Sequence, residues 1–443
     1  MKLKNWRYLD LFTVFNFQDP KARGRCVMLA SAILSTMVSN LCLAGTLYTA
    51  FLTANNFSIV DTGILTFIAP ITACFCLVSP VLLERFKKRK LILTIGRTLY
   101  YSINIIGITL LTNLVKDQNA KLIGFGIIIF LSHSCNALTA SGYTTWHLNF
   151  IPNSVRMRYF SYQQIISNLS SGLILLVSGI IADAIRGSEN ELMILMILRL
   201  VGYALAVADI VVLALAKEYP YSSNEKRIRI LNTFRFPFRQ KKFMLTMLLM
   251  AIWGFAGALP STWTYYLMNS VNIKITLINM VDFSYGIVLL LLSAFARRVL
   301  SRFSWFKTFA MAAFVTAAVT FVYAFIDLTP NPSLFFISIR LIQHVIGVLL
   351  NLSYANFPYI NTPKENQTYF LSFYSFMVNI VSVIGQVTGT FMIKAIGDRL
   401  IPIFGLQIEA PALLVVIQSI FQLLVATLIC VLQKPLRPEE TDS

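Results

Sequence analysis

Apolar runs of about 20 residues recur along the whole chain, separated by short polar stretches. A helix rising about 1.5 Å per residue needs roughly 20 such residues to cross a hydrocarbon core of ~30 Å. The runs predict twelve crossing helices, at 26–53, 58–82, 91–114, 122–146, 160–184, 192–215, 243–268, 275–296, 306–327, 333–357, 369–393 and 411–432. The expected fold class is therefore all-α and polytopic, with twelve transmembrane helices. A polar, basic interruption at 217–242, carrying Pro220 and Pro237, splits the pattern into two six-span bundles, 26–216 and 243–432. An N-terminal segment, 1–25, and a tail, 433–443, flank them.

One phrase is written in both halves. "YTTWHLNFIP" starts at Tyr143 and "YANFPYINTP" at Tyr354, so Tyr143, Trp146 and Pro152 return as Tyr354, Phe357 and Pro363 after 211 positions. His133 and His344 obey the same shift, and each lies about 17 Å into its span, near the bilayer midplane. Parallel repeats of six spans are one of the builds used by secondary transporters.

Composition agrees with the pattern: 57% of residues are hydrophobic and 13% charged. The net charge of +18 raises the question of nucleic acid, but its placement answers it. With the N-terminus inside, six Lys and Arg precede span one, five fall in 85–90 and eight in 217–242, while six (Lys116, Lys121, Arg186, Lys274, Lys394, Arg399) lie on the opposite face. Short basic loops resist translocation, which puts both termini in the cytoplasm and makes the charge a topology signal. No nucleic-acid partner is expected. The six cysteines (26, 42, 74, 76, 135, 430) show no metal spacing or disulfide framework and read as small buried residues. The N-terminus lacks the apolar core and cleavage site of a signal peptide.

After span two comes "PVLLERFKKRK", and after span eight "RRVLSRFSWFK". With the six-plus-six topology, the first of these resembles the major facilitator superfamily, whose loop there runs roughly Gly-x-x-x-Asp-Arg-x-Gly-Arg-Lys. Glu84 and Arg85 match the Asp-Arg, while Pro80 and Lys87 replace the two glycines; the second loop keeps only Arg302 and the basic character. "WHLNFIPNSVRMRYFSYQQ" also resembles a Trp…Pro…Arg-x-Arg-Tyr-Phe stretch of some bacterial members. The resemblance implies that Glu84 and Arg85 help to gate the cytoplasmic side, the plainer reading being topogenic charge. It also implies that spans one, four, seven and ten line a central cavity.

Ionisable side chains at membrane depth are costly and mark candidate sites. A helical stripe from His133 reads Asn136, Ala140, Tyr143 and His147; from His344 it reads Gly347, Asn351, Tyr354 and Pro358, with Arg340 one turn back. These faces turn toward a cavity or toward another helix. Tyr143 and Tyr354 either close an inner gate or anchor at the interface, whereas Trp146 and Phe357 read as interfacial anchors and His147 as solvated. Further candidates to bind solute are Asn40, Gln164, Asn168, Trp253, Asn379 and Gln386, with Trp263 as a second aromatic that stacks or packs. Arg97 either snorkels to water or joins Arg199 and Arg340 in pairing with Asp209 and Asp282, the clearest in-span acids, as a coupling or charge-relay set.

No GxxxxGK[ST] phosphate loop, nucleophile elbow or HExxH occurs, so neither ATP hydrolysis nor intramembrane hydrolysis is indicated, and no cofactor or metal is expected. Span five also lacks the Gly-Pro-rich stretch of drug/proton antiporters in the family it resembles. The expectation is a secondary transporter, not an enzyme: a monomer in the cytoplasmic membrane that moves a sugar or small organic acid by alternating access, with protons as a possible partner. The alternatives are a transport-inactive sensor or scaffold on the same fold, or a drug or lipid exporter.

Overall fold

The computed structural model of the chain describes residues 19, 21–83, 86, 88–151, 156–218, 230–354, 356–357, 361 and 367–432. Twelve helices among them are long and apolar enough to cross a membrane. Spans one to six are Ala22–Ala54, Ile59–Leu77, Lys90–Leu114, Gln118–Leu148, Tyr162–Ile185 and Glu191–Ala214. Spans seven to twelve are Lys241–Asn269, Ile275–Leu292, Trp305–Tyr323, Pro332–Tyr354, Tyr369–Ile396 and Ala410–Val431. The hydrophobic pattern thus located every span, with differences only at the ends, where caps rather than hydropathy decide.

Several helix starts are fixed by a single side chain. Ser58 begins span two in a capping box: its Oγ accepts from Asp61 N–H at 3.2 Å while its own N–H donates to Asp61 Oδ2 at 3.0 Å. Asp117 caps span four and Ser304 caps span nine more simply, their side chains accepting from the Ala120 and Lys307 backbone N–H groups. Span one is not a uniform helix. A π-helical turn at Ser39–Leu43 is followed by a break at Gly45, whose φ of +84° suits only a residue without a Cβ. Span three carries a second π-helical turn, Ser102–Gly107. Span seven is interrupted between Ala258 and Trp263, around Pro260.

By packing, the chain divides into two compact units, one formed by Met1–Asn55 with Val78–Arg227 and the other by Asn56–Leu77 with Ile228–Ser443. Span two, expected in the first bundle, packs in the second unit against span eleven. Gly63 abuts the Thr390 side chain so closely that a Cβ would overlap it, and Ile59 and Val60 pack with Ile393 and Leu414. A glycine that lets two helices touch is a contact that periodicity does not report.

In the first unit the core gathers Met28, Leu83, Leu93, Trp146, Phe150 and Tyr159. In the second it gathers Leu249, Met250, Phe306, Phe309, Phe357 and Val425. Trp146 and Phe357 were expected to sit at the membrane interface, but each is only 1% exposed. The Trp146 indole donates to the Lys217 carbonyl at 3.0 Å, and Phe357 stacks on Phe306 with ring centres 4.8 Å apart. Both are core residues: Trp146 packs in one cluster with Phe150 and Tyr159, and Phe357 in another with Phe306 and Phe309. The cysteines also depart from expectation: Cys42 is buried, Cys430 is exposed and the other four are half-buried.

Candidate functional site

The first unit buries an ion pair. Asp209, in the last third of span six, has no exposed surface, and Arg97 reaches it from span three with Nε at 2.8 Å and Nη2 at 2.7 Å from Oδ2. Tyr101 donates its hydroxyl to the same oxygen at 2.8 Å, while Ser31, from span one, donates to Oδ1 at 2.5 Å. The Arg97 guanidinium also lies over the rings of Tyr101 and Tyr143, 5.4 and 5.1 Å from their centres. Arg97 therefore does not snorkel. A carboxylate with four donors and a cation walled by aromatic rings are fully compensated, which is the condition for burying charge. Tyr143, whose hydroxyl bonds the Leu93 carbonyl, is part of that wall. Sequence reasoning missed Tyr101 and Ser31, although Tyr101 stands one helical turn beyond Arg97 and faces the same way.

Arg199 is handled without an acid. It is 2% exposed, and among the described residues no carboxylate pairs with it. Its Nη1 donates to the Cys42 carbonyl at 2.7 Å, Nη2 to the Asn104 carbonyl at 3.4 Å and Nε to Thr109 Oγ1 at 3.3 Å, with the Phe51 ring 4.5 Å from the guanidinium carbon. Cys42 and Asn104 belong to the two π-helical turns. Such turns free carbonyls from the helical ladder, and here those carbonyls converge on one guanidinium. The expectation that Asp209 or Asp282 neutralises Arg199 is thus corrected: a planar five-donor group can be satisfied by carbonyl dipoles alone.

The second unit presents an accessible counterpart. Arg340, on span ten, pairs with Asp282 on span eight at 2.5 Å, yet the two side chains remain 30% and 47% exposed. Arg340 Nη1 also donates to Gln343 Oε1 at 3.1 Å. One turn further along span ten, His344 sets Nδ1 3.3 Å from Ser284 Oγ and its ring 5.4 Å from that of Tyr285. Two turns beyond, Asn351 donates to the Tyr285 hydroxyl at 2.6 Å. Arg340, His344, Gly347 and Asn351 share one helical face, a polar stripe about 16 Å long that meets Asp282, Ser284 and Tyr285 of span eight. Gln343, Ser284 and Tyr285 are additions to the sequence reading. Ser284 and Tyr285 directly precede Gly286 inside an apolar run, so the only signal was hydroxyls two and three residues beyond Asp282.

The remaining candidates are more local. His133 is half-buried and packs edge-on against Tyr100 of span three, ring centres 5.2 Å apart. The two equivalent histidines therefore meet unlike neighbours. Asn136 is half-buried on the same helix. Asn40 bonds Ser171 across spans one and five. Gln164 and Asn168 bond one another along span five, at 3.1 Å. Asn379 turns back to the Ser375 carbonyl at 2.9 Å, and Gln386 to Ser382 at 3.4 Å. Trp253 packs edge-on against Phe309, and Tyr354 packs beside the same ring, both half-buried at the edge of the core. Trp263 packs against Tyr266 and Tyr323. His147, expected in solvent, instead shares a hydrogen bond with the Tyr159 hydroxyl at 2.8 Å. The expected gate pair Glu84 and Arg85, with Pro152, Pro358 and Pro363, lies outside the described residues.

Beyond the spans, two carboxylates have displaced pKa values. The Lys21 backbone N–H and the Arg25 guanidinium, 2.7 Å away, hold Asp19 below its ordinary value. Burial, with Asp327 and Asp398 nearby, pushes Glu409 above its own. Among the described residues no cluster of three or more His, Cys, Asp or Glu side chains forms a metal site.

The family model for the Major Facilitator Superfamily matches residues 26–386. Among curated proteins, none matches the chain by sequence. Solved structures match its fold over nearly their whole length. A nucleoside transporter, NupG, in a mutant form, has a TM-score of 0.69 at 13% identity, covering 92% of this chain and 99% of that one. A D-xylose–proton symporter has a TM-score of 0.69 at 13% identity, covering 91% and 96%. A bacterial homologue of the iron transporter ferroportin, in an inward-facing state, has a TM-score of 0.68 at 12% identity, covering 95% and 98%.

Proposed function

The chain belongs to the major facilitator superfamily, and from that premise we propose that it is a secondary transporter for a small hydroxylated solute, working by alternating access with the span-eight/span-ten stripe as its binding surface. The observation that carries this reading is the exposed Arg340–Asp282 pair at membrane depth. Asp282 lies seven residues into span eight and Arg340 eight into span ten, about 10–12 Å from the helix ends. An ion pair left that open toward hydrocarbon would be prohibitively costly, so its exposed side belongs to water.

The chemistry of the stripe favours a neutral solute over an organic anion. Asp282 offsets the one cation, leaving Gln343, Asn351, Ser284 and Tyr285 as donors and acceptors suited to hydroxyl groups, while His344 is itself buried against Ser284 and Tyr285. The named substrates of two structural neighbours, a nucleoside and D-xylose, share such hydroxyls. A carboxylate paired with an arginine also allows coupling: protonation of Asp282 would release Arg340 to the solute, and deprotonation would reclaim it. The distribution of basic loops supports inward-facing termini, and the proposed location is the cytoplasmic membrane.

The test is uptake into proteoliposomes of a pentose, a hexose, a nucleoside and a dicarboxylate, with and without an inward proton gradient. The expected result is saturable uptake of a hydroxylated neutral solute, stimulated by the gradient and lost in Asp282→Asn. Uptake that ignores both the gradient and an uncoupler, yet needs Arg340, would replace coupling with facilitated diffusion. Flux of none of the four, with no solute-dependent thermal stabilisation, would point to a sensor or scaffold.

A further inference from the structure

Between spans eleven and twelve the chain folds a two-stranded antiparallel hairpin, β1 (Ile401–Ile403) and β2 (Leu406–Ile408), registered Ile401 to Ile408 and Ile403 to Leu406. Side chains alternate across such a ribbon, so Ile401, Ile403, Leu406 and Ile408 share one face. The base of that face is satisfied: Ile401, Ile403 and Ile408 pack on Trp263, Phe321, Phe325 and Val415. The tip is not. Leu406 is 46% exposed and Phe404, in the turn, is 87% exposed.

Two observations say what the tip meets. The first is its level and direction. The Phe404 ring lies 6.3 Å from that of Phe321, two residues before the end of span nine at Tyr323. Met311, Phe314, Val315 and Val322 form an exposed apolar stripe on that span, and Phe321 continues its edge two turns beyond Phe314. An exposed apolar stripe on a crossing helix faces acyl chains, so Phe404 hangs at the rim of the lipid-facing surface, where the hydrocarbon ends. The second is conformation. The turn residues are Phe404 at φ +50° and Gly405 at φ +80°. A hairpin turn with both residues left-handed favours Asn-Gly or Asp-Gly, and a bulky aromatic there is a steric outlier. Packing within the protein gives little back, because the ring is almost wholly exposed.

We propose that the hairpin tip is a membrane-interface anchor, Phe404 and Leu406 inserting at the boundary between headgroups and acyl chains of the leaflet beside span nine. An apolar ring and a leucine side chain gain by leaving water for that boundary. The partner is the phospholipid bilayer itself, and the anchor acts whatever solute the protein carries.

The experiment places a nitroxide at position 404, through Phe404→Cys in a chain whose six cysteines are replaced, in phosphatidylcholine–phosphatidylglycerol vesicles. Collisions with oxygen are compared with collisions with a water-soluble nickel chelate, using labels at Val322→Cys and Ser188→Cys as lipid-facing and loop references. The expected result is an oxygen-dominated label resembling position 322; a nickel-dominated label resembling position 188 overturns the anchor. Where the cysteine-free chain does not fold, Phe404→Trp in the otherwise unchanged protein decides the matter. Its added emission, found by subtracting that of the unsubstituted protein, should shift to the blue and be lost to lipids brominated near the headgroup. Emission quenched by aqueous iodide and untouched by bromolipid overturns the proposal.

Discussion

Among the described residues, two carboxylate–arginine pairs sit at membrane depth, and they are built in opposite ways. Asp209 with Arg97 is sealed: the carboxylate is wholly buried, takes hydrogen bonds from three side chains of spans one and three, and faces a guanidinium walled by tyrosine rings. Asp282 with Arg340 is open, with the side chains 47% and 30% exposed. Sealed charge is held by its environment and is strongly destabilising when one partner is removed, whereas exposed charge contributes little to stability and is free to exchange partners. The first pair therefore reads as a brace for the first unit. The second has the accessibility that binding and coupling require.

The largest effect tests the brace. Asp209→Asn leaves Arg97 buried without a counter-charge and is expected to cost about 3–5 kcal/mol, seen as a large drop in melting temperature or loss of folded protein. Asp209→Leu combined with Arg97→Met removes both charges and should recover most of that loss. A double variant as unstable as the single one would mean that the pair does more than compensate itself. Next comes Arg199, whose replacement by Gln strands the carbonyls of Cys42 and Asn104. A loss of about 1–3 kcal/mol is expected in thermal unfolding, and its absence would show that the π-helical turns do not depend on the guanidinium.

The open pair should behave in reverse. Asp282→Asn and Arg340→Gln are expected to change stability by about 1 kcal/mol or less while abolishing gradient-driven uptake. A stability loss matching that of Asp209→Asn would erase the distinction between the two sites. The histidines sharpen the comparison further. His344→Ala should depress uptake more than His133→Ala, since His344 meets Ser284 and Tyr285 in the stripe, whereas the ring neighbour of His133 among the described residues is Tyr100.

The smallest effect concerns a third carboxylate, outside the spans. Glu409 has its pKa raised in the folded state by burial and by Asp327 and Asp398. Folding then favours its protonated form, so its contribution to stability is present below its ordinary value of 4.5 and is lost as pH rises through the raised value. Glu409→Gln should accordingly raise the melting temperature slightly at neutral pH, with the gain fading toward pH 4. A gain independent of pH would remove charge as the cause.

Much of this was legible in the chain. Twelve spans and the candidacy of Arg97, Asp209, Asp282, Arg340 and the two histidines all follow from one constraint: lipid tolerates long apolar helices and punishes isolated charge. The partners were not legible. Sequence spacing placed Asp209 and Asp282 within reach of three arginines but could not say that Arg97 takes one, Arg340 the other, and Arg199 neither. Nor did the 211-residue echo show that His133 and His344 face different neighbours, or that Trp146 and Phe357 are covered.

The sequence by itself determined which segments must lie in the membrane, because hydropathy is summed residue by residue along a helix and needs no knowledge of neighbours. Tertiary structure decided which charges are sealed and which stay open, and whether an aromatic ring is core or anchor. Those outcomes depend on what another helix brings within 3 Å of an oxygen or lays across a ring, and distances of that kind exist only once the helices have packed.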